Sequence, residues 1–406
     1  MRLLILADGR SPITLNWLKA VKELGHEVIL VSSYPCKKPL QADVFHILPI
    51  AFSGFARSKG SQPAGTHSNA ERAGGRILRQ FRGLLLRMRY RLGPISLPVY
   101  GLQLQKIIEQ TKPDLVHALR IPFEGMTLSF CRMKVPFAVS VWGNDITLHA
   151  GGSREMKSLT RRTLEMASGL AADTARDIRL GHSWGFPDNK PTLVAPGSGG
   201  INSGRVRLTA EKYSDYWQRL PRMENLVINP RGFRPGSVRN DTFFRSIPIV
   251  VRQLPSTLFV CCSMQGQPEA EAWLDELQIR RNTVLLPTVP QDSLWGLFHV
   301  ADVSVSVSEH DGTPNSLLEA MTIGCFPIAG DIESIREWIV PGVNGILVDP
   351  NDPELLASAI INALMNPQLR RDAAEMNRKI IQERAEFERV QTKIELFYNR
   401  CLEQKT

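Results

Sequence analysis

The chain has 406 residues, 43% of them hydrophobic, with a formal charge of +9 and a pI near 9.4. This length and apolar content exclude a disordered chain and a disulfide-stapled miniprotein, and they favour two domains over one. The positive charge asks for an anionic partner, whether nucleotide, lipid headgroup or nucleic acid, without choosing among them.

Residues 3–7 predict a strand, an apolar run too short for a signal-peptide core and closed at once by Asp8 and Gly9. Leu15, Leu18, Val21 and Leu24 then lay an apolar stripe along a helix that Gly25 ends. Further strands are predicted at 28–32, 115–118, 137–141, 170–172 and 192–195. Residues 53–71, rich in Ser, Gly, Ala, Pro and Asn, read as a loop. In 72–92, Ile77, Phe81, Leu85, Met88 and Leu92 share one helical face, and Arg72, Arg76, Arg79, Arg82, Arg87, Arg89 and Arg91 crowd the rest. A basic amphipathic helix of this kind suits an anionic membrane surface; the ordinary alternative is a surface helix packed on its own domain.

Residues 196–204, PGSGGINSG, are too glycine-rich for a helix interior and mark a domain boundary near 200. Beyond it strands are predicted at 225–230, 257–262, 283–287, 303–307 and 326–329. Helices run over 241–253 and from Glu269, Gln291 and about Ser316, and again after Ile332 and Pro353. Phe387, Val390, Ile394, Phe397 and Cys401 give a last helix, 386–406, one buried stripe. Strands alternating with longer helices define an α/β, doubly wound class, with domains at 1–200 and 201–385. The six cysteines (Cys36, Cys131, Cys261, Cys262, Cys325, Cys401) and eight scattered histidines show no metal-ligand spacing, and the thiols read as buried ones in a reducing compartment.

The richest stretch is 308–352, SEHDGTPNSLLEAMTIGCFPIAGDIESIREWIVPGVNGILVDPND. Gly312 and Pro314 interrupt regular structure after a strand, and a helix starts near Ser316, where its free amides form an anion site suited to a diphosphate. Asp311 on the loop can accept bonds from sugar hydroxyls, and Glu319, a turn into the helix, can reach a ribose. Either acid alone reads as solvated loop or helix-end charge, but the whole stretch does not.

This stretch resembles the donor-binding half of the retaining glycosyltransferases of family 4, glycosyl transferases group 1. Asp311 and Glu319 match the family's two acids with seven residues between them, Asp311 standing where Glu is commoner. Ala320, Met321, Gly324, Gly330, Glu333 and the turn Gly342-Val343-Asn344-Gly345 continue the match. The resemblance implies a GT-B fold, two Rossmann-like domains facing each other across a cleft, with the last helix crossing back to the first domain. It assigns Asp311 to the donor sugar, Glu319 to the ribose, and the region of Gly312 with the amides of Ser316 and Leu317 to the phosphates. The loop near Val289 and Pro290 is expected at the base. Arg231, directly after a strand, matches the family arginine on the diphosphate. The family lysine is missing; Arg239 or Arg234 is the candidate substitute, Arg234 reading otherwise as a surface charge.

On the acceptor side the resemblance points to the loop of Gly9 and Arg10, to His117 beside the donor sugar, and to Gly143 and Asp145 after the next strand. A histidine at a strand end reads equally as a packing residue. Gly197, Gly199 and Gly200 read either as a close passage beside the donor or as a hinge. The expected function is retaining, metal-independent transfer of a sugar from a nucleotide diphosphate sugar, UDP-linked first and GDP-mannose second. The acceptor is a glycan, lipid-linked or small molecule. No cofactor and no metal are expected. A catalytically weak or inactive nucleotide-sugar-binding protein is the alternative, with an epimerase or phosphorylase on a similar scaffold as further rivals. Nucleic-acid binding ranks last, resting on charge alone. The expected location is cytoplasmic, with a peripheral place on the inner face of a membrane if 72–92 attaches there.

Overall fold

The computed structural model describes residues 1–51, 53, 82–234 and 236–404. The loop expected after Ser53 and the first ten residues of the basic segment 72–92 lie outside them. The chain forms two compact units: unit 1 is Met1–Asp173, Asp177–Gly199 and Gln391–Thr406, and unit 2 is Thr174–Arg176 with Gly200–Val390.

Unit 1 is built on a seven-stranded sheet in the order β3-β2-β1-β4-β5-β6-β7, parallel throughout. Its strands are β1 (Arg2–Ala7), β2 (Glu27–Ser32), β3 (Val44–Ile47), β4 (Leu115–Ala118), β5 (Phe137–Val141), β6 (Gly169–Ala172) and β7 (Thr192–Val194). The central strands are apolar on both faces, as strands covered by helices on each side must be. Helix α1 (Pro12–Glu23) buries Leu18 and Val21 as its stripe predicts. Helix α2 (Arg82–Thr111) runs nineteen residues past 92 (111 − 92), through Pro94 and Pro98, which the sequence pattern does not anticipate. Interior prolines each remove a helix hydrogen bond. Here Ser96 Oγ donates to the Gly93 carbonyl at 2.7 Å, and buried Leu97, Leu104 and Ile108 hold the helix to the core. Helices α3 (Arg154–Met166) and α4 (Ala175–Ser183) follow.

Unit 2 carries a six-stranded parallel sheet, β10-β9-β8-β11-β12-β13. Its strands are β8 (Asn225–Asn229), β9 (Thr257–Cys261), β10 (Thr283–Leu285), β11 (Val303–Ser306), β12 (Phe326–Gly330) and β13 (Ile346–Val348). Its helices are α5 (Ser203–Ser214), α6 (Asn240–Gln253), α7 (Pro268–Glu276), α8 (Gln291–Val300), α9 (Asn315–Ile323), α10 (Pro353–Met365) and α11 (Pro367–Arg384). Helix α5 starts inside the glycine-rich run 196–204, because Asn202 Oδ1 accepts the Arg205 amide and caps it. The Gly342 to Gly345 turn is pinned by buried Asn344, which accepts the Val340 amide at 2.7 Å and donates to the Trp338 carbonyl at 2.9 Å. Helix α12 (Phe387–Glu403) starts in unit 2 and belongs to unit 1 from Gln391 onward. Val390, Ile394, Phe397 and Cys401 are buried along it, with Tyr398.

In each sheet the strand order reverses once, between β1 and β4 in unit 1 and between β8 and β11 in unit 2. The crevice beyond the carboxyl ends of the strands at such a reversal is where doubly wound sheets bind ligands.

Candidate functional site

At the reversal in unit 2, Arg231 leaves β8 and Asp311 lies on the loop after β11. Arg231 Nη2 meets Asp311 Oδ2 at 2.6 Å, with the arginine side chain 6% and the carboxylate 16% exposed. Ser308 Oγ also donates to Oδ2, at 3.3 Å, and the Gly312 amide donates to Oδ1 at 3.0 Å. A carboxylate offers about four acceptor sites, so Asp311 can take a further donor. Its backbone carbonyl is held by Ser334 Oγ at 2.8 Å and by the Arg176 guanidinium, from unit 2's own segment Thr174–Arg176, at 2.9 Å. The loop can lie this close to β12 because Gly330 lacks a side chain: a Cβ there would stand 2.3 Å from the Ser308 carbonyl oxygen.

The Arg231 Nε is buried without a partner. Arg234 lies close enough that the charge of Arg231 lowers its pKa to about 10 against the pull of Asp311. Arg231 thus holds the carboxylate as an ion pair, and Arg234 stands near both. Arg239 differs. Its guanidinium is bidentate on Asp241 at 2.8 and 2.9 Å, reaches Glu309 at 2.8 Å, and contacts Asn351. Two carboxylates already neutralise Arg239, which speaks against the expectation of it as a phosphate ligand, whereas Arg234, which the sequence reads as a surface charge, stands beside Arg231.

Helix α9 opens at Pro314, which supplies no side-chain cap. The Leu317 and Leu318 amides close onto the Pro314 carbonyl at 3.0 and 3.3 Å. Leu317 therefore does not offer its amide to a phosphate, correcting that assignment. Among the described residues the Asn315 and Ser316 amides have no such partner, and Ser316 Oγ is buried and unpartnered. A turn further on, Glu319 is 5% exposed, and burial pushes its pKa up to about 7. It accepts a 2.7 Å bond from Gln291, the first residue of α8, directly after the loop of Val289 and Pro290. Gln291 carries no motif signal of its own.

At the reversal in unit 1, Gly9 is pressed against β2: its amide donates to Ser32 Oγ at 3.1 Å, and a Cβ would stand 2.8 Å from Cys36 Sγ. Arg10 pairs with Asp8 at 2.9 Å and lies over the Tyr34 ring at 3.8 Å. His117 is fully buried, with Nδ1 2.9 Å from Tyr398 Oη and Nε2 2.9 Å from Ser140 Oγ. Burial lowers its pKa to about 3. Both nitrogens are engaged inside the core, so the structure corrects His117 from catalytic candidate to packing residue. Asp145 is also fully buried. Its Oδ1 takes Arg120 Nη2 at 2.7 Å and Nε at 3.1 Å, and its Oδ2 takes the Trp142 amide at 3.1 Å. Asp145 therefore does not reach an acceptor itself; it aims Arg120, which the sequence reading overlooks. Among the described residues no three His, Cys, Asp or Glu side chains are grouped to hold a metal ion.

Two parallel α/β units, each with its polar residues at its own strand-order reversal, define the GT-B class of glycosyltransferase folds. The family description "Glycosyl transferases group 1" matches residues 240–380, and "Glycosyl transferase 4-like" matches 66–174. The chain belongs to this group 1, family 4-like line of glycosyltransferases. It is 25% identical over 217 residues to the D-inositol 3-phosphate glycosyltransferase of Thermobispora bispora, covering 51% of this chain and 50% of that one. The match thus spans about half the length of that curated relative. Anabaena HepE in complex with UDP aligns at a TM-score of 0.72 and 15% identity, covering 98% of this chain and all of that one. The sucrose-phosphate synthase of Thermosynechococcus elongatus aligns at 0.72 and 14%, covering 100% of both. At these identities the two structures share the fold.

Proposed function

We propose that the protein is a retaining, metal-independent glycosyltransferase that moves a sugar from a UDP-sugar to a glycan, lipid-linked or small-molecule acceptor, with GDP-mannose as the second donor candidate. The observation that carries this is the grouping in unit 2 of Arg231, Arg234, the open start of α9 and buried Glu319. A diphosphate meets two guanidinium groups and a helix terminus, which supply the charge a leaving group needs as it departs. Asp311 retains capacity for a donor-sugar hydroxyl, and Glu319 for a ribose. Transfer on one face of the sugar, with the leaving phosphate taking the acceptor proton, asks for no protein nucleophile. The UDP complex of HepE favours the uridine donor as the first candidate.

We also propose peripheral attachment to an anionic membrane through α2. Met88, Leu92, Ile95, Val99 and Leu102 stand 45–70% exposed at alternating spacings of four and three. This exposure supports the membrane reading of the segment over packing on its own unit. Residues 72–108 contain seven arginines, one lysine and no acidic residue. An apolar stripe set in a basic segment matches a bilayer of anionic lipids. Among the described residues no helix is long and apolar enough to cross a membrane.

The test is calorimetric titration with UDP, GDP and ADP in the absence of divalent metal. UDP is expected to bind selectively, and Glu319→Ala, Arg231→Ala and Arg234→Ala each to weaken it by about tenfold or more. Arg234 is exposed, so its variant reports on binding even if loss of the buried Arg231 pair impairs folding. Binding of none of the three nucleotides would remove the donor site; binding without turnover of UDP-sugars would favour the inactive binding protein.

A further inference from the structure

At the carboxyl ends of β1 and β4, unit 1 encloses a pocket of about 260 Å³. Its walls include the rings of Tyr34, Phe123 and Trp142, and its polar groups include Arg89, Arg120 and Glu124. Arg89, which the sequence places on the basic surface of a helix, turns inward from α2: its guanidinium lies 4.4 Å from the Phe123 ring centre and 5.9 Å from that of Tyr34. The approach of α2 depends on Gly93, where a Cβ would stand 2.6 Å from Phe123 Cε1.

The charges around the pocket pair off with one remainder. Arg10 is held by Asp8, and Arg120 by Asp145. Arg89 has a buried, unpartnered Nε, and among the described residues no hydrogen bond or ion pair meets its guanidinium. Glu124, 6% exposed, accepts a 2.7 Å bond from Ser33 Oγ, and burial raises its pKa against the pull of Arg120 and Arg89. Glu124 is bonded to Ser33 and forms no ion pair with Arg89 among the described residues, so the Arg89 guanidinium is left without a paired counter-charge. Flat aromatic faces suit the apolar face of a pyranose, and guanidinium donors suit an oxyanion. The volume lies just below the roughly 300–1,000 Å³ of small-molecule sites, sized for one ring rather than a chain.

We infer that this pocket binds a sugar unit carrying an oxyanion, a carboxylate or a phosphate, with Arg89 as the residue that selects the charged acceptor. The assignment to an acceptor rests on the transferase reading above; the pocket and its charge preference do not.

The test uses the full chain and saturation-transfer NMR with glucuronic acid, glucose 6-phosphate, glucose and inorganic phosphate, with UDP titrated into the same samples. At least one acidic sugar is expected to bind about tenfold tighter than glucose and tighter than phosphate. Which one it is distinguishes carboxylate from phosphate. Arg89→Ala is expected to abolish the preference and leave UDP affinity unchanged; Arg89→Lys keeps the charge without the fork and is expected to retain part of it. Equal binding of glucose, phosphate alone matching glucose 6-phosphate, or a preference that survives Arg89→Ala would overturn the inference. UDP binding without acidic-sugar selection defeats this inference alone. Acidic-sugar selection without UDP binding defeats the transferase reading and leaves the pocket standing.

Discussion

Glu319 sits 5% exposed with Gln291 as its hydrogen-bond partner, and a carboxyl group held this way titrates near pH 7 rather than 4.5. Ribose hydroxyls donate best to the ionised form. UDP affinity is therefore expected to rise between pH 6 and 8 by a component that disappears in Glu319→Gln, the subtraction removing the titration of the nucleotide itself. Stability moves in the opposite sense. The folded pKa is raised, so between about 4.5 and 7 the folded protein holds a proton that the unfolded chain has released, and the group's contribution falls as pH rises through that window. Melting temperatures of the native protein and of Glu319→Gln, compared at pH 5 and pH 8, are expected to shift in favour of the variant at pH 8. A pH-independent difference in both measurements would show that Glu319 does not titrate there. Phe123 adds a second residue-scale feature. Its φ of 67° places a non-glycine residue in the left-handed region beside the pocket of unit 1, at a cost of order 1–3 kcal/mol.

Among the elements, α2 has two apolar faces, one buried and one exposed. Tyr90, Leu97, Leu104 and Ile108 pack inward, and Ile95, Val99 and Leu102 face outward. Ile95→Glu with Leu102→Glu is expected to reduce co-sedimentation with phosphatidylglycerol vesicles at least tenfold while leaving the melting temperature within a few degrees, because the replaced side chains are exposed. Equal sedimentation of variant and native protein would exclude this face. Most strands were legible to within two residues because β-branched and aliphatic runs between turn residues leave little choice. The exceptions β3 and β13 are four and three residues long at sheet edges, where a short apolar run carries no period. The extent of α2 was illegible because two prolines normally end a helix, and only its buried face reveals that tertiary packing overrides them. At the candidate site of unit 2, Arg231, Asp311 and Glu319 could be read because one motif and one strand end carry them. The unit 1 pocket draws Tyr34, Arg89, Arg120 and Trp142 from four separate stretches, and no spacing encodes that union. His117 carries two readings in sequence because a strand-end position looks the same whether the ring faces a ligand or, as here, Tyr398.

For the whole molecule, each unit has its own sheet and core, so damage to one is expected to stay there. Tyr398 is fully buried and bonded to Trp17 Nε1 and His117, each at 2.9 Å. Tyr398→Ala is expected to cost roughly 3–5 kcal/mol, with amides of β1 and β4 losing hydrogen-exchange protection and those of β8 and β11 keeping it. Uniform loss across both sheets would contradict separate cores. The return of α12 also sets an order of events during synthesis. Residues 391–406 belong to unit 1 but follow the whole of unit 2 in the chain. At about 5–20 residues per second, a ribosome needs roughly 10–40 s to make Gly200–Val390. Throughout that interval Trp17, His117 and Gly169 await the helix that covers them, so the nascent first unit presents an apolar groove that a chaperone can hold and that the arrival of α12 closes.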